Sequence, residues 1–528
     1  MKNNIIFDVI KNHNLQIDEF ENYTSEIAKI VKYKKNNYNS KLVIVTSMSP
    51  TPVGEGKTTT SIGLVDGLNK LGIKTIGALR EPSMGPVFGM KGTGSGSNKA
   101  ILLPFDKINL HFTGDFHAIA EANNLISAVI DNEIYFQSDL KIDPNKIIWK
   151  RCLDSNDRQL REIEYTISKV NSLVKIGFNI TAASDMMALF CLSKDKDDFK
   201  NKLNKTIVAY TFNNEPITIS QLEISDAIMK IMDDAFYPNL VRTLENNPVI
   251  LHGGPFANIA HGCSSLISLY AAQNLADVVV TEAGFGSDLG LEKFMNITCR
   301  EGGISPDLIV LTISLKSILY NGTNFEIEQN NKEKVVAGFE NVKHHINHCK
   351  KYNKPIFVAI NHREEDDLND MKLLMSLLDD CDVKYSLNDC WSKGSSGALE
   401  MSQKVKEILD EIKQSSHNYL YETSDSVYEK IDKIAKNAYG ANGYELSNLA
   451  KQQLKELENY KDYFVCISKN PYSLTCDQKI LGKPTNFVTT IERIEVNHAA
   501  NLIIPITSVV YRMPGLPKIP RAKNFILK

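Results

Sequence analysis

Short apolar runs alternate with stretches of helical periodicity over the first 360 residues of the chain. The runs predict buried strands at residues 42–46, 73–79, 249–252, 278–281, 308–312 and 355–361. Each is as long as a strand and far too short to cross a membrane. An amphipathic stretch at residues 58–71 predicts a helix between the first two strands. This alternation is typical of an α/β protein with a parallel sheet, which binds its ligands at the carboxyl ends of the strands.

The two ends of the chain have a different pattern of apolar and polar residues. Apolar positions such as Ile17 and Phe20 predict a helical segment within residues 1–40. Residues 402–457 are rich in Lys, Glu, Asp and Gln at helical spacing, which predicts solvated helices. From Tyr463 onwards, short β-like runs are separated by turns. We therefore expect a separate C-terminal unit.

Composition excludes several classes of protein. Sixty Lys and Arg residues against 63 Asp and Glu residues give a net charge of -3, whereas proteins that bind nucleic acids or membrane surfaces usually carry a basic excess. The nine cysteines are scattered and form no CxxC pair, so neither a disulfide framework nor a zinc ribbon is indicated. The chain begins without the pattern of a signal peptide. We expect a soluble, cytoplasmic protein without nucleic-acid or membrane partners.

The most distinctive motif is a glycine-rich loop, TPVGEGKTTT, between a predicted strand and a predicted helix. Glycines let such a loop turn its N–H groups towards phosphate oxygens, a lysine can reach the outer phosphates, and a hydroxyl can hold Mg²⁺. The regular motif has glycine where Thr51 stands, so this loop is a variant, and an ordinary strand–helix turn is the alternative. We predict a nucleotide site at Thr51, Gly54, Glu55, Gly56, Lys57, Thr58 and Thr59, with Thr58 as the metal ligand.

A second anion-binding group follows the next predicted strand, at Arg80-Glu81-Pro82. Parallel strands deliver their carboxyl ends to one edge of a sheet, so Arg80 should lie near the glycine-rich loop. A guanidinium there can hold a phosphate or a carboxylate through two hydrogen bonds. We predict that Arg80, Glu81 and Pro82 contact substrate.

These observations define the expected architecture. The fold class is α/β, with a P-loop NTPase-like parallel-sheet core and two smaller α/β domains. We place the nucleotide-binding domain at residues 1–300, a second α/β domain at 301–440 and a small C-terminal domain at 441–528.

Several long strings resemble one known family. TPVGEGKTTT, ALREPSMGPVFGMKG, INLHFTGDFHAI, HGGPFANIAHG, EAGFGSDLG and MPGLPK are similar, in the same order, to formate–tetrahydrofolate ligase. The resemblance runs from about residue 40 almost to the end of the chain. It implies that ATP converts formate to formyl phosphate, and that an amine nitrogen of tetrahydrofolate, N10, then takes up the formyl group. It also implies Mg²⁺ and a homotetramer, and it leaves open a monovalent cation and the physiological direction.

Carried over residue by residue, the resemblance assigns further roles. Lys57 and Arg80 match residues that hold the phosphates of ATP and formyl phosphate. Asp115 and His117 lie on one short loop, where they suit either proton handling or loop anchoring, and we include both among the catalytic candidates with Lys57 and Arg80. His252 either reaches the formyl phosphate or satisfies local backbone groups. We interpret Glu282 as a ligand-edge residue after a strand.

The departures from the family are concentrated in segments of the acceptor pocket. The family stacks the pterin ring between a Phe and a Trp; Trp391 is retained, but Arg363 stands at the Phe position. Lys99 replaces a Tyr, and the segment around His498 replaces a glycine-rich string. We therefore predict that Trp391, Arg363, Lys99 and His498 contact the acceptor.

Three interpretations remain open from the sequence. Tetrahydrofolate is the favoured acceptor, since loops tolerate change. A ligase that keeps formate activation but uses another nitrogen acceptor is the rival. A non-catalytic nucleotide-binding regulator is the third, although Lys57, Thr58 and Arg80 are all retained.

One further histidine pattern carries less weight. His344 and His348 are four residues apart, a spacing that can bind metal on a helix. With no cluster of other ligands nearby, a solvated helix face is the favoured interpretation.

Overall fold

The structure is a computed structural model that describes residues 4–33, 40–52, 54–89, 94–412, 417–507 and 510–524. The strands are β1 (Phe20–Asn22), β2 (Ala28–Ile30), β3 (Lys41–Ser47), β4 (Thr75–Leu79), β5 (Gly96–Ser97), β6 (Ala100–Leu103), β7 (Ile142–Ile147), β8 (Ile163–Ile167), β9 (Ser172–Ile176), β10 (Ile207–Thr211), β11 (Pro216–Thr218), β12 (Asn239–Thr243), β13 (Pro248–Leu251), β14 (Val278–Glu282), β15 (Leu308–Ile313), β16 (Ile356–Asn361), β17 (Lys384–Asn388), β18 (Tyr444–Leu446), β19 (Phe464–Val465), β20 (Thr489–Ile491), β21 (Arg493–Asn497) and β22 (Leu502–Ile506).

The helices are α1 (Ile5–Asn12), α2 (Lys57–Lys70), α3 (Met84–Phe88), α4 (Phe105–Asn109), α5 (Asp115–Phe136), α6 (Asp185–Cys191), α7 (Lys196–Lys205), α8 (Ser225–Ile231), α9 (Leu266–Leu275), α10 (Cys299–Gly302), α11 (Leu315–Asn321), α12 (Asn331–Lys350), α13 (Leu368–Asp379), α14 (Cys390–Lys393), α15 (Ser395–Glu411), α16 (Val427–Ile434) and α17 (Asn448–Glu456). None of the helices within the described residues is both long and apolar enough to cross a membrane.

A 12-stranded mixed sheet forms the centre of the described chain. Its main order is β1-β2-β12-β13-β4-β14-β3-β15-β16-β17, with β6 pairing with β12 and with β5. The seven strands from β13 to β17 in this order are parallel to one another. All but the edge strand β17 are largely apolar because helices cover both faces of such a sheet, and β14 and β15 are buried at every position. The predicted α/β fold with a parallel sheet is confirmed.

All six strands predicted from the apolar runs lie in this sheet. Their observed bounds differ from the predicted bounds by two residues at most, and the predicted helix at 58–71 is α2. Short apolar runs between polar turns are therefore a sufficient signal for the buried parallel strands of this chain.

The helical segment predicted within residues 1–40 is only partly present. α1 is a helix, but β1 and β2 form an antiparallel pair in which Phe20 lies opposite Ile30. β2 also pairs with β12, about 200 residues later in the chain, which buries its side chains. The prediction was wrong there because long-range strand pairing outweighed the local periodicity.

The C-terminal part forms smaller sheets around its own core. β19, β22 and β21 form one sheet and β18 and β20 another, as the turn-rich texture after Tyr463 predicts. α16 and α17 pack one face against these strands through buried residues such as Ile431 and Leu454. β15, β16 and β17 lie beyond residue 300 and extend the central sheet. The three domains given above, with their two boundaries, stay predictions.

Candidate functional site

Four parallel strands deliver polar residues to one edge of the central sheet. β4, β14 and β3 lie side by side, with β16 two places further along, and all are parallel. The glycine-rich loop follows β3, Arg80 follows β4, Glu282 ends β14 and Asn361 ends β16. Because parallel strands share a carboxyl edge, these residues converge. We call this the phosphate edge.

The glycine-rich loop needs its glycines for two separate reasons. Gly54 has a φ of 87° and Gly56 a φ of 72°, both in the left-handed region that glycine adopts without strain. A Cβ atom on Gly56 would also lie 2.5 Å from Asn361 Nδ2. That amide donates to the Glu55 carbonyl at 2.8 Å, so the end of β16 holds the loop from one side.

The Glu55 side chain holds the loop from within. Its Oε1 accepts the Thr51 backbone N–H at 2.6 Å, and its Oε2 accepts hydrogen bonds from the hydroxyls of Ser314 and Ser317. The carboxyl is buried, and this burial raises its pKa above the usual range. Thr51 and Glu55 therefore shape the loop, and their contact with a nucleotide stays a prediction.

Lys57 and Thr58 open α2, and both side chains point to the neighbouring strands. Lys57 Nζ donates to Ser47 Oγ at 3.1 Å, and Thr58 Oγ1 donates to Glu282 Oε2 at 2.8 Å. Burial lowers the pKa of Lys57 to about 8, although Glu282 and Glu55 act in the opposite direction. Thr59, next along α2, accepts a hydrogen bond from Cys390 Sγ through its carbonyl.

Arg80 joins the same group from β4. Its Nη2 lies 3.6 Å from Glu282 Oε1, and its Nη1 donates to the Pro255 carbonyl at 3.2 Å. Glu282 thus contacts both the cation after β4 and the hydroxyl that opens α2. The structure brings Lys57, Thr58, Arg80 and Glu282 together, as the strand order predicts.

The residues after Arg80 are buried in a second cluster. Glu81 donates its backbone N–H to the Gly253 carbonyl at 2.7 Å, and burial, reinforced by Asp115, raises the pKa of its carboxyl well above the usual range. Asp115 is itself engaged: Lys29 Nζ lies 2.7 Å from its Oδ1, and Asn239 donates to its Oδ2 at 2.7 Å. Asp115 is thereby placed as an anchor of the start of α5.

Pro82 and His117 lie at the periphery of this cluster. Pro82 is half-buried, and a Cβ on Gly94 would lie 2.7 Å from its Cβ, so the two segments are closely packed. His117 points into solvent from the first turn of α5, with its Nε2 4.0 Å from Glu121 Oε1. The described contacts do not link His117 to Lys57 or Arg80.

Two histidines of the HGGPFANIAHG string are buried. His252 uses both ring nitrogens: Nδ1 lies 2.6 Å from Ser265 Oγ and Nε2 lies 2.6 Å from the Ala235 carbonyl. Burial lowers its pKa to about 4. His261 has no hydrogen-bond partner within the described residues, and burial, with Arg80 and Lys293 nearby, lowers its pKa to about 3. Of the two alternatives for His252, local hydrogen bonding fits its surroundings.

A carboxylate–imidazole pair lies beside the phosphate edge, and none of the sequence motifs predicts it. His362 follows Asn361, and its Nδ1 lies 2.6 Å from Asp389 Oδ1. The other carboxylate oxygen of Asp389 accepts from Lys393 Nζ at 2.8 Å. Burial alone would raise the pKa of Asp389, but the hydrogen bonds from Lys393 and His362 outweigh it and the pKa lies below the usual value. Within the described residues, Nε2 of His362 has no partner.

Three of the four predicted acceptor residues, Trp391, Lys99 and Arg363, lie next to this pair. Trp391 donates its indole N–H to Ser97 Oγ at 3.0 Å, and the backbone N–H of Lys99 donates to the Trp391 carbonyl at 3.2 Å. The Trp391 side chain is 48% exposed. We call the region of Trp391, Lys99, His362 and Arg363 the acceptor edge.

Arg363 faces acidic neighbours. Its Nη1 lies 3.6 Å from Glu365 Oε1, and the residue lines an open cavity of about 410 Å³ together with Asp366 and Asp370. The guanidinium is 43% exposed. Arg363 is therefore accessible, and neighbouring carboxylates balance its charge.

His498 lies elsewhere. It is buried in the C-terminal part between the rings of Tyr460 and Tyr463, and the hydroxyl of Tyr463 is 3.2 Å from its Nδ1. Burial lowers its pKa to about 4. The described contacts do not join His498 to Trp391 or Arg363.

Comparison with known proteins agrees with this geometry. A sequence model of the family described as formate–tetrahydrofolate ligase matches residues 1–528. The chain belongs to the formate–tetrahydrofolate ligase family. The resemblance found in the motifs is thereby confirmed.

Curated relatives of the same name support the assignment along the whole chain. A formate–tetrahydrofolate ligase of Ureaplasma parvum is 55% identical over 526 residues, which cover 99% of both chains. Its counterpart in Malacoplasma penetrans is 46% identical over 94% of this chain and 95% of its own length. That of Pelagibacter ubique is 43% identical over 93% and 89%. In this member of the formate–tetrahydrofolate ligase family, the phosphate edge and the acceptor edge therefore both lie within the residues that the family model matches.

Proposed function

We propose that the chain uses ATP to activate formate as formyl phosphate and transfers the formyl group to N10 of tetrahydrofolate. The observation that carries this proposal is the arrangement around Glu282, which contacts Arg80 and Thr58 beside Lys57 at the mouth of a glycine-rich loop. Two cations and the start of a helix at one sheet edge suit several phosphate charges.

The first step is phosphoryl transfer. A formate oxygen attacks the γ-phosphorus of ATP, the bond to the ADP oxygen breaks, and ADP leaves with the bonding pair. Lys57 and Arg80 disperse the charge of the transferred group and orient it towards formate. Activation is needed because formate would otherwise have to expel oxide, whereas formyl phosphate expels phosphate.

Mg²⁺ fits the donors at this edge. Thr58 Oγ1 and Glu282 Oε2 are hard oxygen ligands 2.8 Å apart, and Mg²⁺ in nucleotide sites takes one or two such protein ligands together with phosphates. When bound, it would neutralise phosphate charge. We assign no residue to a monovalent cation.

The second step is formyl transfer to an amine. The nitrogen attacks the formyl carbon, a C–N bond forms, and the C–O bond to phosphate breaks so that phosphate leaves with the bonding pair. We assign the proton of that nitrogen to Nε2 of His362. A base needs a free ring nitrogen; both nitrogens of His252 are engaged, and those of His261 are fully buried. Asp389 orients His362 through Nδ1, as in other carboxylate–imidazole pairs.

Tetrahydrofolate is the acceptor that we propose. The relatives that carry its name match nearly the whole length of the chain. Trp391 offers the flat face for the pterin ring, and the planar guanidinium of Arg363 can stack on a ring as well. Neither another acceptor nor a regulatory role has an observation of its own in the structure.

The test is ADP formation by the purified protein with ATP, formate and tetrahydrofolate, each omitted in turn. We expect stoichiometric ADP, phosphate and 10-formyltetrahydrofolate only with all three. Formate-dependent ADP formation that ignores tetrahydrofolate would point to another acceptor. Absence of turnover under all conditions would point to a regulator. The homotetramer and the cytoplasmic location stay predictions.

A further inference from the structure

The histidine-rich segment of α12 is not a solvated face. His345 and His348 are at most 1% exposed, and His344 bonds through Nε2 to the Ala438 carbonyl at 2.9 Å. The described residues contain no cluster of His, Cys, Asp or Glu side chains that could hold a metal ion. The favoured interpretation, a solvated helix face, was therefore wrong for His348, and the burial of His345 and His348 needs another explanation.

His345 bridges two loops of the phosphate edge. Its Nε2 lies 3.0 Å from Ser49 Oγ, and its Nδ1 lies 2.7 Å from Ser287 Oγ. Ser49 stands two residues before Thr51, where the glycine-rich loop begins. Ser287 ends the short loop that begins after Glu282. One imidazole ring thus spans the segments that carry Lys57 and Glu282.

The bridge belongs to a longer hydrogen-bonded chain. Ser287 Oγ also lies 2.9 Å from His348 Nδ1, and His348 Nε2 lies 3.1 Å from the Tyr352 hydroxyl. Each hydroxyl has one proton and each neutral imidazole has one N–H, so every link is satisfied when all donors point the same way. Burial lowers the pKa of both histidines well below the usual value, so both rings are neutral.

A second residue of α12 fixes the Ser49 end. Asn341, one turn before His345, donates to Ser49 Oγ at 3.0 Å and accepts the Ser49 backbone N–H at 3.3 Å. A parallel link runs from Lys57 through Ser47, whose hydroxyl donates to the Phe285 carbonyl at 3.0 Å. Hydrogen bonds therefore connect the start of the glycine-rich loop to the Glu282–Ser287 loop, and the His345 ring lies between the two loops.

We propose that His345 is a positioning residue, which sets the distance between the glycine-rich loop and the Glu282–Ser287 loop and so aligns Lys57 with Glu282 for phosphoryl transfer. This proposal rests on the function proposed above. A shift of about 1 Å at a reacting centre costs about 10²-fold in rate. The contact to Ser49 and Ser287 needs two hydrogen-bonding ring atoms, which distinguishes it from filling of space alone.

The test compares His345→Phe, which keeps a ring but no hydrogen bond, with His345→Gln, whose amide can reach one hydroxyl. We expect kcat to fall about 10²-fold in His345→Phe, with the KM for tetrahydrofolate unchanged, and His345→Gln to recover part of the loss. His344→Gln is the matched control, since among the described residues His344 has its hydrogen bond to Ala438 and none to either loop, and its kcat should stay within twofold. Ser287→Ala removes the hydrogen bonds of Ser287 to His345 and His348 without changing either ring, and should lower kcat about tenfold.

Thermal unfolding provides a readout that does not depend on turnover. ATP should raise the Tm of the native protein and of His344→Gln, and should raise that of His345→Phe much less. Native kcat in both His345→Phe and Ser287→Ala would overturn the proposal, as would a kcat loss that disappears after correction for the folded fraction. If the native protein shows no formate-dependent turnover but the ATP-induced Tm shift still depends on His345, the proposed function fails and the positioning role stands. If His345→Phe does not fold, Ser287→Ala decides alone.

Discussion

The phosphate edge and the acceptor edge lie next to each other but are built differently. At the phosphate edge, Glu55 and Glu282 are at most 5% exposed and each contacts two or more partners. At the acceptor edge, Trp391 and Arg363 are nearly half exposed and have few contacts. Asn361 joins the two, because its amide holds the glycine-rich loop while its neighbour His362 faces the acceptor side.

This difference in burial matches the different requirements of phosphoryl transfer and acceptor binding. Transfer of a phosphoryl group needs hydrogen-bond donors that are fixed in place before the substrates bind. Buried partners hold the side chains of the phosphate edge in this way. Binding of a flat acceptor needs an accessible ring face, and its walls can change without disturbing the sheet. Substitutions at the phosphate edge should therefore affect kcat strongly, whereas substitutions at the acceptor edge should mainly affect one KM.

The largest effect is expected at Lys57. Lys57→Ala should lower formate-dependent ADP formation about 10²- to 10³-fold, because a preorganised cation is lost where phosphate charge develops. Lys70→Ala, at the other end of α2, is the control and should stay within twofold, since its ammonium contacts Ser395. Steady-state kinetics measure both. If the rate of ADP formation falls less than tenfold in Lys57→Ala, the phosphate edge does not have the stronger effect on kcat that we expect of it.

His362 comes next, because it would connect the two edges. His362→Ala should reduce formyl transfer about 10²-fold by removing the proton acceptor. Added imidazole should restore part of the rate, since the site is partly open to solvent. Imidazole should not restore Lys57→Ala, which is the internal control. Native rates in His362→Ala would exclude His362 as the base.

The pH dependence of ATP binding gives a third, smaller effect. Lys57 has a pKa of about 8 in the free protein, lowered by burial. It is therefore charged below pH 8 and loses its charge as the pH rises above 8, so the Kd for ATP should be flat below pH 8 and rise by up to about tenfold per pH unit above it. Lys57→Arg keeps its charge throughout and should show no such rise between pH 7 and 9.5. Equal slopes in both proteins would contradict this account of Lys57.

The acceptor edge should give the smallest effects. Trp391→Ala should raise the KM for tetrahydrofolate about 2- to 10-fold, since an aromatic stacking contact contributes about 0.5–1.5 kcal/mol. Arg363→Phe should lower the same KM by providing a second aromatic wall. Phe212→Ala, an exposed aromatic residue outside both edges, is the control. A change in the KM for ATP that matches the change for tetrahydrofolate would mean that the edges are not separable.

Local patterns predicted the parallel core well. Strands such as β3 and β14 are apolar runs that are buried on both faces, and this burial leaves a direct mark on the sequence. The helical prediction failed at β2 because its pairing with β12 joins residues about 200 positions apart in the chain, and β1 then pairs with β2. No window of local sequence contains that information.

Site residues that belong to a sequence motif were predictable, whereas site residues whose contacts depend on tertiary packing were not. The strand order placed Arg80 next to Lys57 and Thr58 through Glu282, as expected. The His362–Asp389 pair and the His345 bridge were missed because their partners lie 27 and about 300 residues away. A polar residue such as Asn361 at the end of a predicted strand was the available signal. His498 contacts tyrosines of the C-terminal part, and its role as an acceptor residue stays a prediction.

The route of one oxygen atom tests the central claim, that formate is activated as formyl phosphate at the phosphate edge. Formate labelled with ¹⁸O is converted with ATP and tetrahydrofolate, and the inorganic phosphate is analysed by mass spectrometry. The account predicts one ¹⁸O atom in each phosphate formed, because a formate oxygen attacks phosphorus and leaves with it. Unlabelled phosphate beside labelled formyl product would contradict the account.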